Sequence, residues 1–195
     1  MVITLSRSES SPKHYTVEEY LEFEVNAEDR HEYDDGEVIA MTGGTPNHND
    51  LASNLMVLLK VGLRGKPFRC FITDQRLWIP QFYKFTYPDV MVLAQPLELM
   101  AGRSDTVINP LLIAEVLSVG TRSYDKDAKF AAYRSIASFG EYLLIDQYRV
   151  CVEHYVKADD QRWIFREYQD LGDRISLSTI ALEVSLADLY EDIQF

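Results

Sequence analysis

Apolar and polar positions change register repeatedly along this chain, and turn residues mark the changes. Thr16-Val17-Glu18-Glu19 has the form of a capping box and predicts a short helix carrying Tyr20, Leu21 and Phe23 into a core. Asp34-Asp35-Gly36 predicts a turn, and residues 38–41 a short strand closed by Gly43-Gly44. Behind Thr45-Pro46-Asn47, the recurrence of Leu51, Leu55, Leu58, Leu59 and Gly62 is the spacing of one buried helix face. Residues 68–79 alternate as a strand ended by Pro80, residues 86–94 form another strand, and residues 95–109 read as a loop. LLIAEVL at 111–117 is an apolar run of strand length, expected at the centre of a sheet with both faces covered. A helix over 124–137, with Phe130, Tyr133, Ile136 and Ala137 toward the core, and a strand over 141–146 complete a right-handed βαβ crossover. Residues 150–156 and 163–168 flank a turn at Asp159-Asp160 as an antiparallel hairpin, and a helix over 186–193 closes the chain.

These elements predict one α/β domain over residues 15–195, behind a polar, Ser-rich and flexible N-terminal tail at 1–14. Length agrees, since 195 residues bury a substantial core but are few for two independent domains. The N-terminus lacks the apolar stretch of a signal peptide, and the run at 111–117 is far shorter than the ~20 residues that cross a bilayer. A cytoplasmic protein with no membrane partner is expected. Cys70 and Cys151 lie in strand-like stretches without metal-ligand spacing and are expected to be buried free thiols. The net charge of −12 argues against general electrostatic coating of nucleic acid, so any nucleic-acid site must be local.

The residue that changes the picture most is Glu115. A carboxylate inside an apolar central strand costs several kcal/mol of desolvation unless it is compensated, so it is either a structural ion-pair partner or a ligand. Asp89 places a second carboxylate at the start of another apolar run, and two such oxygen donors on neighbouring strands suit Mg²⁺ or Mn²⁺. Asp125, Lys129 and Tyr133 follow at i, i+4 and i+8 and share one helix face. Lys129 is therefore either half of an Asp125–Lys129 surface pair or a cation aimed at the strand end, where it would neutralise a phosphorane. Glu32 is either a further acidic ligand or a surface residue beside the turn, and His48 either faces a metal or phosphate or partners a backbone group.

YPDVMV, AEVLSVGT, YDKDAKFAAY and GEYLLID, with HEYDDGEV and His48 upstream, resemble the Uma-type family of endonucleases within the PD-(D/E)XK superfamily. The resemblance covers residues from Tyr15 to Tyr190 and implies a restriction-endonuclease-like mixed central sheet flanked by helices, with a C-terminal antiparallel hairpin. It implies a Mg²⁺-dependent endonuclease acting on nucleic acid, DNA in the first place. Asp89 and Glu115 would be both catalytic residues and metal ligands, Glu32 an additional ligand, and the assembly a homodimer. Leu117 stands where the superfamily pattern has lysine, and Lys129 fits a lysine that has migrated to the next helix. The alternative is a catalytically silent module that keeps the fold and binds nucleic acid or a protein, and it gains if Arg122, Lys126, Lys129 and Arg134 do not gather beside Asp89 and Glu115.

Overall fold

The computed structural model describes residues 13–195. The expected tail falls outside the described residues up to position 12; of its remainder, His14 lays its ring where a Cβ on Gly36 would stand, and Gly36 has φ +103°. In chain order the elements are α1 (Val17–Asn26), β1 (His31–Asp34), β2 (Glu37–Ala40), α2 (Pro46–Gly62), β3 (Phe68–Ile72), β4 (Arg76–Ile79), β5 (Lys84–Thr86) and β6 (Val90–Ala94). They continue with β7 (Thr106–Val107), β8 (Pro110–Leu117), α3 (Arg122–Tyr124), a π-helical stretch Asp125–Lys129, α4 (Phe130–Tyr133), β9 (Glu141–Asp146), β10 (Val152–Lys157) and β11 (Trp163–Tyr168). β12 (Arg174–Leu177), β13 (Leu182–Ser185) and α5 (Leu186–Leu189) end the chain. Among these, no helix is long and apolar enough to cross a membrane.

The main sheet has six strands in the order β11-β10-β9-β8-β6-β3, and its one parallel pair is β8 with β9. That pair brackets the helical segment, as the βαβ expectation required. Alternation along β6 and β8 divides the core between two faces. Val90, Val92, Leu112, Ala114 and Val116 pack toward α2 and α5, whereas Met91, Leu93, Ile113 and Leu117 pack with Ala132 and Tyr133 of α4. A second sheet, β2-β1-β5-β4-β7, stacks Tyr33 and Phe85 on Tyr20 of α1.

The N-terminal ends of α1 and α2 follow the expected chemistry. Thr16 and Glu19 form the reciprocal capping box, and the Thr45 side chain accepts from the His48 N–H ahead of Pro46 at the first turn. Cys70 and Cys151 are buried free thiols. The differences lie where one apolar run feeds two sheets. Residues 68–79 divide into β3 and β4, and residues 86–94 into the end of β5 and β6, with each pair split between the two sheets. Alternation records that a residue faces a core, but not which core, so the break is invisible in the pattern. The loop over 95–109 contains β7, Phe23 is exposed at the α1 surface, and the last two helices are shorter than their periodicity suggests. Besides the expected hairpin of β10 and β11, β12 and β13 form a further antiparallel hairpin. Glu141, fully buried, fastens it by accepting from the N–H groups of Ser178 and Thr179 and from His154.

Candidate active site

Asp89 and Glu115 meet because β6 and β8 are antiparallel neighbours. Val90 pairs with Ala114, which sets Asp89 beside Glu115 at the next position, and odd-numbered residues of both strands share the α4 side. The two acids interlock through the backbone: the Asp89 N–H donates to Glu115 Oε2 at 3.3 Å, and the Val116 N–H donates to Asp89 Oδ2 at 2.7 Å. The remaining oxygen of Asp89 lies 3.0 Å from His48 Nε2, delivered by the first turn of α2. Gly44 leaves room for that imidazole, because a Cβ there would lie 2.7 Å from His48 Cδ2.

The helical segment after β8 supplies the rest. Lys129 lies 3.2 Å from each of three carboxylates, Glu115 Oε1, Asp125 Oδ1 and Glu32 Oε1. Tyr133 donates to the same Glu115 Oε1 at 2.7 Å. The expected i, i+4, i+8 face is real, but its Asp125–Lys129 pair is buried instead of lying on the surface. Glu32 arrives from β1 of the smaller sheet and is buried, and its Oε1, though close to the ammonium, has no hydrogen-bond partner at proper angles.

Three carboxylates around one ammonium, with Asp89 beside Glu115, leave excess negative charge in a desolvated space. Burial pushes the Glu115 pKa up to about 8; Lys129 opposes the shift, and Asp89 and Asp125 add to it. Asp125 is raised for the same leading reason, with Lys129 again opposing. Burial alone would lower the Lys129 pKa, but Glu115, Glu32 and Asp125 together hold it well above the ordinary lysine value. The imidazole of His48 is raised above its ordinary value despite burial, by its hydrogen bond to Asp89.

This electrostatic arrangement predicts an unusual pH dependence for the metal-free fold. A carboxyl whose folded pKa is raised keeps its proton while the unfolded chain has lost its own, so stability falls as pH rises from about 4.5 to about 8. Urea unfolding in EDTA at pH 5 and pH 8 is expected to show that fall, and Glu115→Gln is expected to remove most of the difference. An equal pH dependence in the two proteins would locate the strain elsewhere.

Among the described residues, no three His, Cys, Asp or Glu side chains already stand as a cage for a metal ion. The surplus of negative charge and the two hard oxygen donors nevertheless fit a divalent cation such as Mg²⁺ or Mn²⁺, which takes few protein carboxylates and keeps several waters. Glu32 and Glu115 share Lys129, whose ammonium stands 3.2 Å from an oxygen of each. Of the other basic residues that were candidates for this place, Arg122 pairs with Asp146, Lys126 with Glu153, and Arg134 lies over the Phe130 ring. Only Lys129 of these four contacts the acidic cluster. Sequence reasoning assigned Tyr133 to the core without recognising its bond to Glu115, although its position on the Lys129 face was the available signal.

A family model described as "Uma2: Putative restriction endonuclease" matches residues 17–188. Two uncharacterized proteins of Synechocystis sp. are similar along nearly their whole length. One is 40% identical over 87% of this chain and 96% of its own, and the other 33% identical over the full length of both. Among solved structures, the crystal structure of "a putative nuclease belonging to DUF820" from Anabaena variabilis aligns with a TM-score of 0.74 at 18% identity, covering 92% of this chain and 99% of that one. At that identity the likeness shows the fold alone.

Proposed function

Since the chain belongs to the Uma2 family, described as "Putative restriction endonuclease", we propose that it is a divalent-metal-dependent phosphodiester hydrolase with Asp89 and Glu115 as its metal ligands. The observation that carries this reading is the interlocked Asp89–Glu115 pair with the Lys129 ammonium 3.2 Å from Glu115. Buried carboxylates kept together at such electrostatic cost suit a resident cation better than a structural ion pair, which one carboxylate would satisfy.

A bound Mg²⁺ or Mn²⁺ would supply Lewis-acid polarisation of the phosphate and lower the pKa of a coordinated water. The chain's own residues divide the remaining work. Glu115 Oε1 is taken by Lys129 and Tyr133, so an ion would take Glu115 Oε2, which now accepts the Asp89 N–H, and Asp89 Oδ1, which now meets His48 Nε2. Three carboxylates hold Lys129 protonated, so it acts as a hydrogen-bond donor to the attacking water and the phosphorane oxygens, not as a general base. The proposed substrate is DNA, met by a local site because the whole chain repels it, and the proposed assembly is a homodimer.

The test is a Mn²⁺ soak of crystals combined with incubation of DNA and RNA substrates in Mg²⁺, Mn²⁺ or EDTA. Density between Asp89 and Glu115 and EDTA-sensitive cleavage are expected. The second reading, a nuclease-fold module that binds without cutting, is favoured by the engagement of Arg122 and Lys126 with carboxylates. Mn²⁺ density without cleavage of any nucleic acid would support it.

A further inference from the structure

Lys84 is a buried lysine on β5 that the proposed chemistry does not use. It is register partner to Asp34 on β1 and forms an ion pair with it. Its ammonium also donates to the Tyr124 hydroxyl at 3.0 Å, and that hydroxyl donates to Glu32 Oε2 at 3.1 Å. Glu32 and Asp34 lie two residues apart on β1 and point the same way. A continuous line therefore runs from the smaller sheet into the site: Asp34, Lys84, Tyr124, Glu32, Lys129. Two ammonium groups lie near the Tyr124 ring, Lys84 at 5.0 Å and Lys129 at 5.5 Å from its centroid, both within cation–π range.

We propose that Lys84 and Tyr124 are positioning residues: they fix the Glu32 carboxylate so that its bare Oε1 draws Lys129 away from Glu115 and Asp125. Three carboxylates at equal distance from one ammonium make its position a balance, and Glu32 is the member from another sheet. The Tyr124 hydroxyl occupies Oε2 and leaves Oε1 without any donor but the off-angle ammonium. Burial and the charge of Glu32 push the Tyr124 pKa up, so the phenol keeps the proton that Glu32 accepts. A lost or rotated Glu32 would let Lys129 settle against Glu115 and Asp125. The role of Lys129 in hydrolysis rests on the nuclease reading, but its placement by this strut does not.

The experiment uses the full chain with Tyr124→Phe, which keeps the ring and removes the hydroxyl, and Lys84→Met as a second variant. Three quantities are read: acetylation of Lys129 by an N-hydroxysuccinimide ester at one fixed pH, followed by peptide mass spectrometry; Mn²⁺ affinity by calorimetry; and kcat and KM for DNA cleavage. In Tyr124→Phe the labelling rate of Lys129 is expected to change about tenfold and kcat to fall roughly 10- to 100-fold, as loss of an orienting partner does. KM and Mn²⁺ affinity are expected to stay within about twofold of wild type, because Asp89 and Glu115 are untouched. Lys84→Met is expected to reproduce the labelling change; should it fail to fold, Tyr124→Phe alone decides. Unchanged labelling with unchanged kcat would overturn the proposal. So would a fall in Mn²⁺ affinity with labelling unchanged, since that would make Glu32 a metal ligand held by Tyr124. If wild type cleaves nothing, the nuclease reading fails, while the labelling still decides the strut.

Discussion

Glu115→Gln is expected to reverse its rank in stability relative to wild type when a divalent metal is added. Without metal, wild type holds Glu115 beside Asp89 and Asp125 in a desolvated space, and burial raises its pKa to about 8. The glutamine removes one charge at nearly constant volume and keeps an oxygen able to accept from Tyr133 and Lys129, the two donors now on Oε1. Its amide nitrogen falls where the Asp89 N–H now donates to Oε2, and must turn its protons to the Asp89 carboxylate. The metal-free variant is thus expected to melt at or above wild type, by more at pH 8.5 than at pH 6. With Mn²⁺ at a hundred times its dissociation constant, wild type gains roughly 2.7 kcal/mol. For a protein of this size that corresponds to about 5–10 °C in Tm. The variant is expected to gain little. Equal gains in both proteins would remove Glu115 from the ligand set, and collapse of the metal-free variant would make the carboxylate a structural ion-pair partner of Lys129.

Lys129→Met is expected to abolish cleavage and, without metal, to destabilise the fold. Its ammonium is the cation 3.2 Å from Glu32, Glu115 and Asp125, all buried. Removing one partner of a buried charge pair costs about 3–5 kcal/mol, because the charges left behind are uncompensated. Protonation of Glu115 offsets part of that cost, so the loss is expected to be smaller at pH 6 than at pH 8. A bound cation replaces the missing charge, so Mn²⁺ affinity is expected to be retained or improved and Mn²⁺ to stabilise the variant more than wild type. Cleavage is expected to fall by at least about 10²–10³, the scale for deleting one stabiliser of developing charge. The measurements are melting in EDTA and in Mn²⁺, calorimetry, and single-turnover cleavage. Retained cleavage would move the lysine's role elsewhere, and Lys126 is poorly placed to take it, being tied to Glu153. Weakened Mn²⁺ binding would mean that Lys129 organises the ligands instead of competing with the ion.

The sequence by itself determined the elements whose signals are local. The Thr16–Glu19 capping box, the Thr45-Pro46 start of α2, the turn at Asp34-Asp35-Gly36 and the buried strand around Glu115 are each written in a few consecutive residues. A charge in an apolar run is legible for the same reason: its desolvation cost demands a partner whatever the fold. Asp89 and Glu115 could therefore be named, the shared face of Asp125, Lys129 and Tyr133 followed from helical periodicity, and the choice of Lys129 as the site's lysine came from the family resemblance. Tertiary structure decided who meets whom. The antiparallel register of β6 and β8 sets Asp89 against Glu115, and the crossing of two sheets brings Glu32 to Lys129 from 97 positions away in the chain. The same crossing divides residues 68–79 and 86–94 between sheets, because alternation encodes burial but not the identity of the neighbouring layer. Lys84 and Tyr124 gave no signal at all. An isolated lysine in a short strand and a tyrosine near a helix start look like surface and core, and only the packing of β1, β5 and α3 makes them a line of hydrogen bonds into the site.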